Sequence, residues 1–393
     1  MPSSQIDKTS ALDRLLRLLK VPGVSLHEAA VSRTVGKMLL HLGVRKSWIK
    51  RDHAHRHFGG QTGNLIARLP GSGQLRRAGR RFFSAHLDTV PVCAGAQAVV
   101  SGPYIRPKGK TGLGADDRAG VASVISALAE AKARTKNLPP LTLAFTVSEE
   151  LGLFGAQYMD RKVLADCAMG FNVDGDSPAH PTVGAPSGFM LDIEITGIPS
   201  HAGGAPQRGA SAATVFALAT AELAKGGWLG KVVKGPQEGR MNFGIVQGGN
   251  ATNVVMPSMT IKGEARSHSE ALLNRIITTA EKAFHRVAKK VKNDQARTAK
   301  VRFKATRNYT RFKLPLGSDV MKEYQRACKK VRAGRLVPSI GFGAVDANYF
   351  CANGLPTVTF GAGGRDAHCV GERCYLPDYY LSVAVLTELM TGT

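Results

Sequence analysis

Five short segments of the sequence place histidine or carboxylate side chains near the ends of predicted strands or helices. They read "SAHLDTVP", "LGADDRAG", "TVSEELG", "NVDGD" and "GRDAH". The candidate side chains in them are His86, Asp88, Asp116, Asp117, Glu149, Glu150, Asp174 and His368. Two imidazoles with several carboxylates suit one or two divalent metals of the zinc class. The first chemistry to consider is therefore that of a metal centre.

The pair His86 and Asp88 lies where the run "RFFSAH" ends. Residues two apart in a strand point to the same face, so both side chains are expected to project together. A histidine with a carboxylate partner is the usual form of a metal ligand and the group that orients it. It is also the form of a general base with its orienting acid, and a solvated polar pair at a strand end is a third interpretation.

Two pairs of adjacent acids add to this pattern. Asp116 and Asp117 precede a helix, where one aspartate is explained as an N-cap and two less well. Glu149 and Glu150 end an apolar strand, and two neighbouring carboxylates there repel each other unless a cation is close. Each acid alone could be a cap or a surface group, but the repetition favours a shared site.

The elements that must position these residues form an α/β pattern. Apolar runs at 65–69, 82–85 and 141–148 predict buried strands, and residues 118–133 predict a helix between two of them. Such alternation implies a parallel or mixed sheet flanked by helices. Ligand sites of open α/β sheets lie at the carboxyl ends of the strands, where the candidates fall.

A different pattern begins near residue 187. Up to residue 311 the order of predicted elements is β-α-β-β-α-β, which is the ferredoxin-like plan. We therefore predict a split α/β domain, residues 1–186 and 312–393, with an inserted α+β domain at 187–311.

Composition limits the remaining classes. Among the 393 residues, 53 Lys and Arg against 29 Asp and Glu give a net charge of +24, but the basic residues are scattered, so we expect no nucleic-acid partner. No apolar run predicts a membrane span, and the start of the chain predicts an amphipathic helix rather than a signal peptide. Six cysteines without a CxxC pair are expected to be reduced, which favours the cytoplasm.

Longer motifs resemble one known family over nearly the whole chain. They are "SAHLDTVP", "LGADDRAGVAS", "TVSEELGLFGA", "VDGD", "SHAGGAPQRGASA", "GGNATNVV", "GEARS" and "DANYFCANGLPTVTFGAGGRDAH". In type and order they resemble the co-catalytic di-zinc peptidases and amidohydrolases that include peptidase T, carboxypeptidase G and succinyl-diaminopimelate desuccinylases. The resemblance is strongest to the peptidase T-like tripeptidases.

The resemblance implies two Zn²⁺ ions, with Co²⁺ or Mn²⁺ as substitutes. His86 and Asp174 would bind one ion, Glu150 and His368 the other, and Asp116 both. Asp88 would orient His86. Glu149 would be the general base that takes a proton from the attacking water and passes it to the leaving amine. A cis peptide bond between Asp116 and Asp117 is also implied.

The same resemblance implies that the insert is a lid and dimerisation domain of a homodimer. His201 would steady the oxyanion, in cis or across the dimer, Asn253 would hold the substrate backbone, and Arg266 would pair with a substrate carboxylate. The simpler interpretations are a turn residue at Asn253 and a surface ion pair at Arg266.

Aspartate at position 174 is, within that superfamily, typical of aminopeptidases. We therefore expect release of the N-terminal residue from short peptides, tripeptides above all. An amidohydrolase or deacylase acting on N-acyl amino acids stays open as the alternative, and a non-enzymatic protein that binds anionic partners as a second one. The intact set of six residues argues against the latter: His86, Asp116, Glu149, Glu150, Asp174 and His368.

Overall fold

The structure is a computed structural model that describes residues 6–392. Two compact units divide the chain: the first is Met1–Gly184, Phe312–Gly341 and Val345–Thr393, and the second is Ala185–Arg311 with Phe342–Ala344. No helix in the part of the chain that the structure describes is long and apolar enough to cross a membrane.

The helices and strands of residues 6–392 are numbered in chain order. The helices are α1 (Lys8–Leu19), α2 (Ala29–His41), α3 (Ala115–Arg134), α4 (Phe154–Gln157), α5 (Ala212–Lys225), α6 (Glu270–Lys290), α7 (Asp319–Lys330), α8 (Ala347–Ala352) and α9 (Leu376–Thr391). The strands are β1 (Ile49–Arg51), β2 (Leu65–Leu69), β3 (Arg80–His86), β4 (Ala98–Ser101), β5 (Tyr104–Pro107), β6 (Leu141–Thr146), β7 (Cys167–Val173), β8 (Thr182–Ala185), β9 (Ser187–Thr196), β10 (Gly230–Lys234), β11 (Gln237–Gly248), β12 (Ser258–Ser267), β13 (Lys300–Tyr309), β14 (Phe312–Lys313), β15 (Ser339–Ile340), β16 (Thr357–Phe360), β17 (Gly364–Arg365) and β18 (Arg373–Tyr375).

The main sheet of the first unit is mixed, as predicted. Its strand order is β1-β2-β6-β3-β7-β16-β8-β14, with β15 beside β8. The central strands β6, β3, β7 and β16 run parallel, and β2 pairs with β6 in the antiparallel sense. Strands β6 and β16 are buried along their whole length, as expected for a sheet covered on both faces. Because these four strands are parallel, their carboxyl ends meet at one edge of the sheet.

A small antiparallel sheet in the first unit was not predicted. Its strand order is β17-β18-β5-β4. Strands β17 and β18 are the two sides of the loop that carries His368. Both strands are only two or three residues long, so they have no alternating pattern that the sequence could reveal.

The second unit contains the predicted β-α-β-β-α-β order. Its sheet has the order β10-β11-β12-β9-β13, with all neighbours antiparallel. Its buried core joins residues of α5 and α6 to alternate residues of the strands, such as Ile193, Ile261 and Phe284. Strand β10 is an addition to the ferredoxin-like plan and pairs with β11 as a hairpin.

Candidate active site

The carboxyl ends of three parallel strands bring most of the candidate residues together. His86 is the last residue of β3, Asp174 directly follows β7, and Glu149 and Glu150 follow β6 by three and four residues. Asp116 lies at the start of α3, and His368 lies in the loop between β17 and β18. The sheet edge therefore gathers side chains that are up to 282 residues apart (368 − 86).

Two groups of possible metal ligands result, and they share one residue. His86, Asp116 and Asp174 form the first group, and Asp116, Glu150 and His368 form the second, with ligand atoms within 4.8 Å of one another in each. The carboxylate of Asp116 lies close to both histidines. Its Oδ1 lies 3.1 Å from His86 Nε2 and its Oδ2 lies 3.3 Å from His368 Nε2. His368 Nε2 is also 2.8 Å from Glu150 Oε2.

The two aspartates in the first turn of α3 have different hydrogen-bond partners. The peptide bond between them is cis, as the family resemblance implied, and both have non-helical backbone dihedrals. Asp117 faces inward, where its Oδ1 accepts the Gly120 N–H and its Oδ2 accepts the His86 N–H, both at 3.1 Å. The N-cap interpretation thus applies to Asp117, and Asp116 is left to face the two histidines.

Asp88 is fully buried and contacts more than His86. His86 Nδ1 lies 3.1 Å from the Asp88 carbonyl oxygen and 3.4 Å from its Oδ1. The same carboxylate accepts the N–H groups of Glu149 at 3.0 Å and Glu150 at 3.2 Å. Asp88 therefore orients one histidine and fixes the backbone of both glutamates.

Glu149 is well placed for proton transfer. Its side chain belongs to neither ligand group, and only 8% of the residue is exposed. Burial raises the pKa of Glu149 well above its usual value, and the negative charges of Asp174 and Asp346 act in the same direction. A carboxylate of raised pKa is a better acceptor for a proton at neutral pH.

Several acids lie close together in the centre, and their burial and mutual charges shift their pKa values. Burial raises the pKa of Asp174 to about 7, with a further rise from the charge of Asp116. Burial also raises the pKa of Glu150. Hydrogen bonds to Asp116 and Glu150 raise the pKa of His368 to about 10. A metal ion would displace that proton, because only the neutral imidazole is a ligand.

These residues fit divalent zinc. The donors are imidazole nitrogens and carboxylate oxygens, which zinc prefers, and each group supplies three, the number typical of catalytic zinc sites. The carboxylates of Asp116, Glu150 and Asp174 repel one another in this buried site. A divalent cation in each group would offset that repulsion.

Two further buried carboxylates support this edge of the sheet and were not predicted as site residues. Glu28 Oε1 accepts the N–H and the hydroxyl of Ser148, at 3.0 and 2.8 Å, directly before Glu149. Asp346 Oδ2 accepts the hydroxyl of Thr146 at 2.5 Å, at the end of β6. Asp346 begins the quoted "DANYF" motif, so a signal for it existed, but nothing near Glu28 in sequence points to Ser148.

The other predicted site residues lie in the second unit. His201 Nδ1 accepts the N–H groups of Gly203 at 3.1 Å and Gly204 at 2.9 Å, which leaves the proton on Nε2 in the neutral ring. Ala202 N–H donates to the Asn253 carbonyl oxygen at 2.9 Å, so His201 and Asn253 belong to one local structure.

Arg266 lies apart from that pair in the second unit, on β12. It contacts Glu264 at 2.7 Å and donates to the Phe342 carbonyl oxygen at 3.3 Å. Its guanidinium lies 5.9 Å from the centre of the Tyr309 ring. The surface ion pair considered from the sequence is therefore present.

The fold and the two ligand groups define a candidate metal centre at the edge of a mixed sheet, and comparison with known proteins identifies the family. Residues 82–392 match Peptidase family M20/M25/M40, to which the chain belongs. The predicted class, a peptidase, is thereby confirmed.

Among individual proteins, the chain is 29% identical to an uncharacterized protein of Bacillus subtilis, YqjE, over 94% of both chains. Among solved structures, it is similar to the aminopeptidase PepT of Bacillus cereus, with a TM-score of 0.81, 28% identity and 98% of each chain covered. A tripeptidase of Staphylococcus aureus gives a TM-score of 0.86 at 25% identity, again over 98% of each chain. The expected peptidase T-like character is confirmed.

Proposed function

We propose that this chain is a zinc-dependent aminopeptidase that releases the N-terminal residue of tripeptides. The observation that carries the proposal is the pair of ligand groups joined by Asp116, with the buried acid Glu149 beside them. The names of the two solved structures, an aminopeptidase and a tripeptidase, favour this branch of the family.

In this proposal, each ligand group holds one Zn²⁺, and Co²⁺ or Mn²⁺ can substitute. His86 and Asp174 serve the first ion, Glu150 and His368 the second, and Asp116 both. When bound, such ions polarise a substrate carbonyl and lower the pKa of a water molecule.

Glu149 carries the proton. As an ionised base it accepts a proton from the water that attacks the scissile carbonyl, and as an acid it gives that proton to the leaving amine. Burial raises the pKa of Glu149, which makes its carboxylate a stronger proton acceptor than an exposed one. Asp88 fixes the N–H groups of Glu149 and Glu150, so one residue sets the direction of both acids.

Residues of the second unit would handle the substrate. We assign to His201 the stabilisation of the oxyanion, to Asn253 the binding of the substrate backbone and to Arg266 the pairing with its carboxylate. The arginine fork suits a carboxylate, and its partner Glu264 is a weak competitor because that side chain is 37% exposed.

We further propose a homodimer formed through the second unit. Strand β10 pairs only with residues 237–241 of β11, so in the described chain residues 242–248 pair with β12 alone. Ile245 and Val246 on this open edge are 50% and 41% exposed. An open edge with exposed apolar residues is a surface for pairing with another strand. We propose a cytoplasmic location as well, because all six cysteines are free.

Product analysis by mass spectrometry tests the activity. Zinc-loaded protein is given di-, tri- and tetrapeptides together with N-acetyl amino acids, and chelator-treated protein is the control. Loss of one N-terminal residue from tripeptides, abolished by the chelator, is the expected result. Cleavage of the N-acyl compounds alone would instead assign the chain to the amidohydrolases of this superfamily.

A further inference from the structure

Glu372 is a buried acid close to the candidate centre that the proposed function does not use. It lies four residues after His368, and only 1% of it is exposed. Residues 366–371 before it are all exposed, so Glu372 is the point where the His368 loop returns to the interior. A buried carboxylate requires partners, and its partners indicate its task.

Its carboxylate binds the backbone of the segment that carries Asp116. Oε2 accepts the N–H groups of Leu113 at 2.8 Å and Gly114 at 2.7 Å, and Oε1 accepts the N–H of Asp116 itself at 2.9 Å. The thiol of Cys93 donates to Oε2 at 3.2 Å. Both oxygens of one side chain are thus occupied by a turn more than 250 residues earlier in the sequence.

The packing around this carboxylate leaves little room for other arrangements. A side chain at Gly112 would come within 2.6 Å of Cys93 Sγ and 3.1 Å of Glu372 Oε2. Gly114 has a φ of +79°, a conformation that favours glycine, and lies two residues before Asp116, the first residue of the cis peptide. The turn from 112 to 116 is therefore shaped around Glu372.

Glu372 also ends the loop that carries His368. His368 has a φ of +66° and Asp366 a φ of +56°, which are uncommon for residues other than glycine. The His368 side chain is 54% exposed, so little packing holds it in place. Its position depends on how the loop is anchored, and Glu372 is a buried anchor.

We propose that Glu372 is a positioning residue that fixes Asp116 and His368 relative to each other, so that the second ligand group is formed before metal binds. This inference rests on the proposed function, because it assigns Glu372 a part in the zinc site. Groups that orient metal ligands typically change metal affinity by about 10–100-fold when they are replaced.

The variant Glu372→Gln tests this. Glutamine keeps the size but replaces one acceptor oxygen with an NH₂ group that faces backbone N–H donors. We expect zinc affinity, measured by competition with a chromophoric chelator, to fall by about 10-fold or more. The absorption spectrum of the Co²⁺-loaded protein, which reports ligand geometry, should change as well. Glu372→Asp should restore part of the affinity, because it keeps both oxygens.

Glu388→Gln is the matched control. Glu388 is equally buried, at 3% exposure, but it pairs with Arg134 at 3.0 Å and Lys330 at 2.9 Å and contacts no candidate ligand. This variant should lower the unfolding temperature of the chelator-treated protein without changing zinc affinity or the cobalt spectrum. Wild-type zinc affinity in Glu372→Gln, with wild-type protein binding zinc normally, would overturn the inference and leave the proposed function intact. If wild-type protein itself bound no zinc, both would be wrong.

Discussion

At the scale of single residues, the carboxylates of the centre have two kinds of partner. Asp116 and Glu150 face the histidines, while Asp117 and Asp88 turn to backbone N–H groups. Acids adjacent in sequence thus point in different directions, which lowers their mutual repulsion. In the Asp116–Asp117 doublet, one acid faces the candidate ligands and the other binds backbone N–H groups.

Replacement of Glu149 should separate proton transfer from metal binding. Glu149→Gln keeps the shape but cannot accept a proton, so kcat on a tripeptide should fall by about 100-fold or more, which is the usual contribution of a general base. Zinc content, measured by elemental mass spectrometry, should be unchanged. The neighbouring variant Glu150→Gln should instead lose zinc. A near-normal kcat in Glu149→Gln would show that another group is the base.

The residues that face the centre could be named from the sequence, and those that support it could not. His86, Asp116 and Glu150 lie at strand or helix ends, in motifs long enough to be specific. Glu28 reaches Ser148 across 120 residues, and Glu372 reaches Gly114 across 258. Such partners are determined by the folded chain, so no local spacing predicts them.

At the scale of elements, a partly buried ion cluster joins β3 to α7. Glu323 lies 2.7 Å from Arg81 and 2.8 Å from Arg326. Arg81 also donates to the Leu389 carbonyl oxygen, and Arg326 to that of Glu388, both in α9. The cluster therefore connects a central strand with two helices of the first unit.

Acid should remove the contribution of this cluster. Burial acts to raise the pKa of Glu323, but the hydrogen bond from Arg326 and the charge of Arg81 outweigh it, and the pKa lies below 4.5. A lowered pKa stabilises the fold above the unfolded-state pKa, and this contribution is lost as the pH falls through the folded-state value. Glu323→Gln should thus lower the free energy of unfolding by about 1–3 kcal/mol near pH 7.

Urea unfolding of chelator-treated protein measures this difference. The gap between wild type and Glu323→Gln should shrink steadily below about pH 4.5, because the protonated glutamate then resembles glutamine. Lys322→Gln is a control on the same helix, since its partner Asp319 is 90% exposed. A gap independent of pH would mean that Glu323 acts by packing alone.

The open edge of β11 can be tested in a similar way. Ile245→Lys places a charge on the open edge formed by residues 242–248. This charge should weaken strand pairing between two copies. Light scattering should show a monomer at concentrations where the proposed wild-type dimer forms, with stability changed by less than about 0.5 kcal/mol, as is usual at surfaces. Met190→Lys, on the central strand β9 and 42% exposed, is the control. An unchanged mass for Ile245→Lys would exclude this edge as the dimer contact.

The long elements were predictable because their periodicity is strong, and the short ones were not. The amphipathic helix α6 and the buried strand β6 follow from hydrophobic pattern alone. Strand β10, "GKVVK", has one buried residue, and its pairing depends on the turn that follows it. Strands β17 and β18 have two and three residues, and β18 also pairs with the distant β5, so no local pattern predicts them.

At the scale of the whole molecule, the net charge is positive, whereas the candidate metal centre is rich in carboxylates. The chain carries +24 overall, whereas the ligand groups contain the carboxylates Asp116, Glu150 and Asp174. A positive surface attracts anionic molecules over a Debye length of about 8 Å at physiological salt. The net charge therefore favours the approach of anionic molecules, and the acidic centre favours cations.

Metal binding should stabilise the first unit more than the second. In the described chain, both ligand groups belong to the first unit. A ligand that binds only the folded state stabilises it by RT ln(1 + [L]/Kd), which is about 2.7 kcal/mol when free zinc is 100 times Kd. Segments whose opening breaks the centre should then exchange their amide hydrogens about 100-fold more slowly.

Hydrogen exchange followed by mass spectrometry, with zinc and with chelator, resolves this by segment. Protection should increase at 113–117, 147–150 and 366–372, which carry the ligands and the Glu372 contacts, and α6 of the second unit should change little. His368→Ala is the control, because without this ligand the second group is incomplete and the zinc effect at 366–372 should disappear. Equal protection of both units would mean that zinc acts by global stabilisation, and no change at 113–117 would place the metal elsewhere.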